Sequence, residues 1–179
     1  MKKRTFLAIT IPEPILDELE VCQRGIPNAK WIQRNNLHIT LHFFGEIQLT
    51  EFNEIREILK NVKQKKFSIQ LKNPKVFNKK YQKILWLSIE PIKPIQTLRS
   101  SILKEIQKRN FLIKKEEFIP HLTLARFNRI HQKVLNEYLL TFENFFTAKF
   151  EIDSFTLFSS ILYPEGPKYT PEEIYFLNT

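Results

Sequence analysis

The sequence predicts an α+β fold: two pseudo-symmetric lobes, each an antiparallel sheet with helices outside, and a groove between the sheets. Three observations predict it. Apolar residues switch repeatedly between a period of two and a period near 3.6, the signatures of half-buried strands and amphipathic helices. The order helix, strand, helix, two strands occurs twice along the 179 residues. One short pattern occupies the same slot in both copies: His38-Ile39-Thr40-Leu41 and His121-Leu122-Thr123-Leu124. No Gly/Ser-rich linker separates the copies, so residues 1–179 are expected to form a single bilobal domain.

The elements follow in order. Arg4 to Ile11 reads as a strand and is ended by Pro12 and Pro14. Ile15 to Gln23 reads as a helix, with Ile15, Leu16, Leu19 and Cys22 on one face. Leu37 to Phe44 is the first His strand, stopped by Gly45. Thr50 is the expected N-cap of a helix that carries Phe52, Ile55, Leu59 and Val62. Phe67, Ile69 and Leu71 alternate with polar residues. Ile84 to Ile89 is almost continuously apolar and reads as a more buried strand. Ile95, Leu98, Ile102 and Ile106 mark a helix opened near Pro94. Pro120 precedes the second His strand. Val134, Leu135 and Tyr138 mark a short helix, Phe150 to Tyr163 is strand-rich, and Tyr169 to Leu177 is a last strand.

Composition narrows the function. The chain is 42% hydrophobic, enough for a sizeable core, and its net charge of +9 favours anionic partners such as nucleic acid. Its single cysteine, Cys22, forms no intramolecular disulfide and reads as a buried small hydrophobe in a reducing compartment. The apolar run Phe6 to Ile11 is too short for a signal peptide, and none approaches membrane-spanning length, so a soluble cytoplasmic protein is expected. The three glycines form no phosphate-cradling loop, which argues against nucleoside triphosphate or dinucleotide chemistry.

The chemistry lies in the doubled motif. Residues two apart in a strand point to the same face, so each copy presents an imidazole beside a hydroxyl. Two copies facing one another supply a general base, a general acid and two hydroxyl donors. An unperturbed imidazole has a pKa of about 6.5, so both protonation states are accessible near neutral pH. Hydroxyls set in advance toward nonbridging phosphate oxygens stabilise the charge that builds there. This set suits cleavage of a phosphodiester without a metal or other cofactor.

Other residues are weighed beside these. Arg126 suits phosphate recognition, but strict alternation turns it away from His121 and Thr123; it needs a bend to join them, and is otherwise a surface residue. His42 shares the parity of His38, and either lines the groove margin or is exposed at the strand end. His38 and His42 have a spacing that binds zinc on a helix, but the segment is β-like and lacks the metalloprotease Glu. His131 falls in a polar turn and reads as surface. Trp31, Trp86 and the sixteen Phe include possible base-stacking platforms, with no single one distinguished.

These residues resemble the 2H phosphoesterase superfamily, named for its paired His-x-Thr motifs. Within it the chain is most similar to the RNA 2′,3′-cyclic phosphodiesterase, or 2′-5′ RNA ligase, family. The resemblance rests on Arg4-Thr5-Phe6-Leu7-Ala8-Ile9, Asn36 to Leu41 with Phe43-Phe44-Gly45-Glu46, Pro120 to Arg126, and Lys168-Tyr169-Thr170-Pro171. It departs at Phe44, where Leu is expected, and at Thr5, where an apolar residue is usual. The resemblance implies the bilobal fold with the site between sheets, and hydrolysis of a terminal cyclic phosphate to a 2′-phosphate. It implies His38 as proton donor to the departing 3′ oxygen and His121 as the base that activates water; the chemistry of the residues themselves adds Thr40 and Thr123 at the phosphate and Arg126 in substrate binding. It also implies ATP-independent joining of tRNA halves by the reverse reaction. A monomer is expected, with RNA as partner and no membrane association. The alternatives are a noncatalytic RNA-end binder and a phosphodiesterase for a small cyclic nucleotide. The net charge favours RNA, whose longer backbone rewards more Lys and Arg contacts.

Overall fold

A computed structural model describes residues 1–109, 111 and 117–178. Its elements are β1 (Lys2–Thr10), α1 (Glu13–Leu19), β2 (Lys30–Trp31), β3 (His38–Gln48), α2 (Leu49–Leu59), β4 (Phe67–Asn78), β5 (Lys83–Glu90), α3 (Lys93–Gln107), β6 (Leu122–Phe127), α4 (Gln132–Thr141), β7 (Phe150–Ile152), β8 (Ser154–Tyr163) and β9 (Gly166–Phe176). The strands run in the order β7-β4-β5-β6-β3-β1-β8-β9, with β2 added to β6, and every strand pair is antiparallel. The architecture is α+β with two lobes, as the sequence predicts.

The lobes are not the two halves of the sequence. The nine strands form one continuous sheet, in place of the two expected; its β3-β1-β8-β9 part makes one lobe, and its β7-β4-β5-β6 part, with β2, makes the other. The first half of the chain thus gives β4 and β5 to the lobe of the second His strand. The second half returns β8 and β9 to the lobe of the first. Local periodicity carries no information about this exchange, because it is set by pairings distant in sequence.

The lobes meet at a narrow seam where Ile39 of β3 pairs with Leu122 of β6. Both side chains are fully buried. Successive strand residues alternate in direction, so the residues flanking this pair turn to the opposite face. The antiparallel register therefore sets His38 beside Thr123 and Thr40 beside His121, all on one face of the seam.

Helices cover the other face. Ile95, Leu98, Ile102 and Ile106 of α3 recur at helical spacing and are fully buried, packing with Leu41, Leu124 and Leu157 into the main core. Each such aliphatic side chain contributes about 1.5–3 kcal/mol by leaving water. α2 lies against β1, β3 and α3, and α4 against β4. Several boundaries differ from expectation. α2 is capped by Gln48 rather than Thr50: the Gln48 backbone N–H donates to Glu51 Oε2 at 2.7 Å, completing a capping box. The expected Ile15–Gln23 helix is α1 followed by a 3₁₀ turn over Glu20–Cys22. Cys22 is buried, and burial pushes its thiol pKa up to about 12. Gly45 does not stop β3; at φ 78° it sits in an irregularity, and the strand continues to Gln48. Thr5 is fully buried, with its hydroxyl donating to the Lys3 carbonyl at 3.2 Å. Among the described residues, no helix is long and apolar enough to cross a membrane.

Candidate active site

The face of the seam that carries both His-x-Thr pairs opens into a cleft of about 580 Å³. His38, Thr40, His121 and Thr123 all line it, together with Arg4, Phe43, Arg126 and Tyr169.

The two imidazoles are held in the same way. His38 Nδ1 lies 2.7 Å from the Asn36 carbonyl, and His121 Nδ1 lies 2.7 Å from the Ile119 carbonyl. A carbonyl only accepts, so each Nδ1 carries hydrogen and donates. Each Nε2 is then left as the titrating atom. His38 Nε2 is 3.1 Å from Thr40 Oγ1. Aromatic rings flank both: Phe6 and Tyr169 stand 5.2 and 5.4 Å from His38, and Phe77 and Trp86 stand 5.2 and 5.7 Å from His121. Burial among these groups holds both imidazoles below the ordinary histidine pKa, opposed by the two backbone carbonyls. The Arg126 charge lowers both further, and the His121 charge lowers His38.

Arg126 reaches the cleft through a β-bulge. Along β6, Thr123 pairs with Trp86 and Ala125 with Leu85, which leaves Leu124 as an extra residue. Leu124 and Ala125 are consequently both buried, and Arg126 returns to the face of Thr123. Its Nη1 donates to Gln82 Oε1 at 3.4 Å. The bend that strict alternation requires is present.

The same device operates in β3. Thr40 pairs with Ala8 and His42 with Leu7, leaving Leu41 extra. Phe43 thereby joins the cleft at the position equivalent to Arg126. Its ring is 48% exposed, and the Arg4 guanidinium stacks 4.6 Å from its centroid. His42 is carried off the cleft and packs edge-on to Phe44 at 4.7 Å, so the shared parity with His38 does not survive the bulge. Arg99 of α3 donates to the carbonyl of the extra residue Leu41 at 3.0 Å and stacks on Phe118, close before His121. One side chain so braces the surroundings of both motifs.

The sequence profile of the 2′-5′ RNA ligase superfamily matches residues 11–161. The chain belongs to that superfamily. It is 32% identical over 93% of its length to a Methanocaldococcus jannaschii protein, 96% of which is covered. It is 30% identical over 93% of its length to one from Thermotoga maritima, 91% of which is covered. Both relatives are named RNA 2′,3′-cyclic phosphodiesterase. The fold matches that of E. coli LigT complexed with 3′-AMP, with a TM-score of 0.80 at 19% identity over 100% of both chains.

In this superfamily member the sequence-predicted residues come together: both His-x-Thr pairs and Arg126 share one cleft. His131 lies outside it, as the N-cap of α4 that accepts from the Lys133 N–H at 3.4 Å. Sequence reasoning missed Arg4, Phe43 and Tyr169 as cleft residues. The signal for Phe43 was its place five residues after His38, matching Arg126 five after His121. Arg4 and Tyr169 lie in stretches that carry the resemblance, but spacing alone did not place them in the cleft, because long-range pairing of β1 and β9 brings them in. Among the described residues, no three His, Cys, Asp or Glu side chains gather as a metal site.

Proposed function

We propose that this chain hydrolyses 2′,3′-cyclic phosphate at RNA 3′ ends to a 2′-phosphomonoester, by paired histidine acid–base catalysis without a metal. The observation that carries the reading is the matched anchoring of His38 and His121, whose Nδ1 atoms donate to carbonyls two residues upstream in one cleft. The names of the relatives support RNA as the substrate.

The steps follow from the donor and acceptor roles. His121 Nε2, unprotonated, accepts a proton from water as the water oxygen attacks phosphorus. The bond from phosphorus to the 3′ oxygen breaks. His38, protonated at Nε2, gives its proton to that oxygen, and the phosphate remains on the 2′ oxygen. This division of labour follows the resemblance of each motif to the superfamily. Thr40 and Thr123 donate to the nonbridging oxygens, where negative charge grows. Arg126 offsets the charge of the phosphate, and the exposed Phe43 ring offers a stacking face for the terminal base. With a 5′-hydroxyl of a second RNA in place of water, as in tRNA halves, the same attack on phosphorus breaks the bond to the 3′ oxygen, which takes the proton from His38, and forms a 2′-5′ linkage without ATP.

The test is product analysis with an RNA ending in a 2′,3′-cyclic phosphate, in the presence of EDTA. The expected product carries only a 2′-phosphate. A 3′-phosphate product, or loss of turnover on chelation, overturns the reading.

A further inference from the structure

The two hairpins that flank the imidazoles differ in charge: Tyr169 of the β8–β9 hairpin stands beside His38, and Phe77 and Trp86 of the β4–β5 hairpin stand beside His121. The β8–β9 hairpin, residues 154–176, contains one lysine and three glutamates. Its turn supplies Glu165, Gly166 and Pro167 to the cleft. The β4–β5 hairpin, residues 67–90, contains five lysines and one glutamate. Of those five, Lys72 pairs with Glu90 at 2.5 Å. Lys75, Lys79, Lys80 and Lys83 make no ion pair among the described residues.

The β4–β5 hairpin is also built against the reacting centre. Phe77 packs on His121, Gln82 accepts from Arg126, and the Lys79 charge is felt at His121. The tip is closed by reciprocal backbone bonds, Lys79 N–H to Gln82 O at 2.9 Å and Gln82 N–H to Lys79 O at 3.3 Å. That turn presents Lys80 and Tyr81 outward. Tyr81 is 77% exposed, and Lys80 Nζ lies 5.0 Å from its ring centroid. Lys75, paired with Trp86, faces the cleft side of β4 with its Nζ 5.8 Å from the Trp86 ring. Lys79 follows Lys75 by four positions, just past the end of β4, a span of about 13 Å in extended chain. Unpaired cations in a row with an exposed aromatic ring are what a sequence-tolerant single-stranded nucleic-acid track requires.

We infer that the RNA strand 5′ to the reacting nucleotide leaves the cleft over the β4–β5 hairpin, along Lys79, Lys75, Lys80 and Tyr81, and not over the β8–β9 hairpin. This inference rests on RNA as the substrate. A cyclic phosphate occupies the 3′ end, so the rest of the chain has to exit on one side. On the β8–β9 hairpin Glu172 is paired with Lys3 and Glu173 with Arg56, and Glu165 is matched by Lys168, so that hairpin offers a polyanion no net attraction, while the four unpaired lysines of the β4–β5 hairpin attract it.

The test is the double variant Lys75→Glu with Lys80→Glu, leaving Lys79 because its charge reaches His121. Two substrates are compared, a 2′,3′-cyclic mononucleotide and a single-stranded oligoribonucleotide with the same cyclic end. The oligonucleotide KM is expected to rise about tenfold or more, and the slope of its logarithm against log salt to fall by about 0.7 for each lost phosphate contact. Mononucleotide kinetics are expected to stay within about twofold, since that substrate does not reach the hairpin. Fluorescence anisotropy of a labelled oligoribonucleotide with a 2′-phosphate end reads the same track without turnover. Unchanged oligonucleotide KM and affinity overturn the inference and leave the hydrolytic reading intact. An equal loss in Lys168→Glu, on the opposite hairpin, also overturns it by assigning the effect to bulk charge. Absence of turnover on both substrates by the unaltered protein overturns the hydrolytic reading instead, while anisotropy still decides the track.

Discussion

The surroundings of His38 and those of His121 share a backbone and differ in their side chains. Each histidine is anchored through Nδ1 to a carbonyl two residues before it. Each is followed by a threonine on the same face and then by a bulge, at Leu41 in one strand and Leu124 in the other. The bulge turns the residue five after the histidine into the cleft. In one lobe that residue is Phe43, a ring; in the other it is Arg126, a cation. Under the proposed function, the frame that moves protons is thus duplicated, while recognition is divided between an aromatic group and a charged one. A proton-transfer site demands fixed nitrogen positions on both sides of phosphorus, which backbone anchoring supplies. Binding a nucleotide demands unlike groups, which single side chains supply.

The largest effects are expected where the lobes are alike. His38→Ala and His121→Ala should each lower kcat by about 10²–10⁴-fold, the usual worth of a positioned acid or base. Retention of near-full activity in either breaks the equivalence. Thr40→Val and Thr123→Val should each lower kcat by about 10²-fold with little change in KM, since a preorganised donor acts on developing charge.

Smaller effects are expected where the lobes differ, and they should differ in kind. The free-enzyme profile of kcat/KM against pH should be bell-shaped, with its maximum below about 6.5, because both imidazoles are depressed by burial. Arg126→Gln should lower kcat/KM about tenfold through loss of a charged phosphate contact. It should also move the maximum to higher pH, since removing that positive charge lets both histidines hold their protons longer. Phe43→Ala should raise KM about fivefold, the low end for loss of a stacked base, and leave the profile in place. A pH shift in Phe43→Ala, or none in Arg126→Gln, would show that the two groups are not specialised in this way.

The site was largely legible because its four central residues obey simple alternation. His38 with Thr40, and His121 with Thr123, can be placed on one face from spacing alone. Legibility ended at the bulges. Leu124 and Leu41 look like ordinary strand residues, yet the bulge at Leu124 is what delivers Arg126, and the bulge at Leu41 is what withdraws His42. The exchange of strands between lobes was equally silent, since β5 pairing with β6 and β1 with β8 depends on partners far away in sequence. Tyr169 reaches His38 only through that exchange. The cap of α2 fell to Gln48 instead of Thr50 because Glu51, at the third helical position from Gln48, closes the capping box.

The central claim is that the two motifs make one site. The direct measurement is kcat for His38→Ala, His121→Ala and the double variant on an RNA with a 2′,3′-cyclic end. Groups that act as a unit are strongly non-additive, so the double variant should be about as slow as either single one. Losses that multiply in the double variant, or about half the activity retained in each single one, would contradict it.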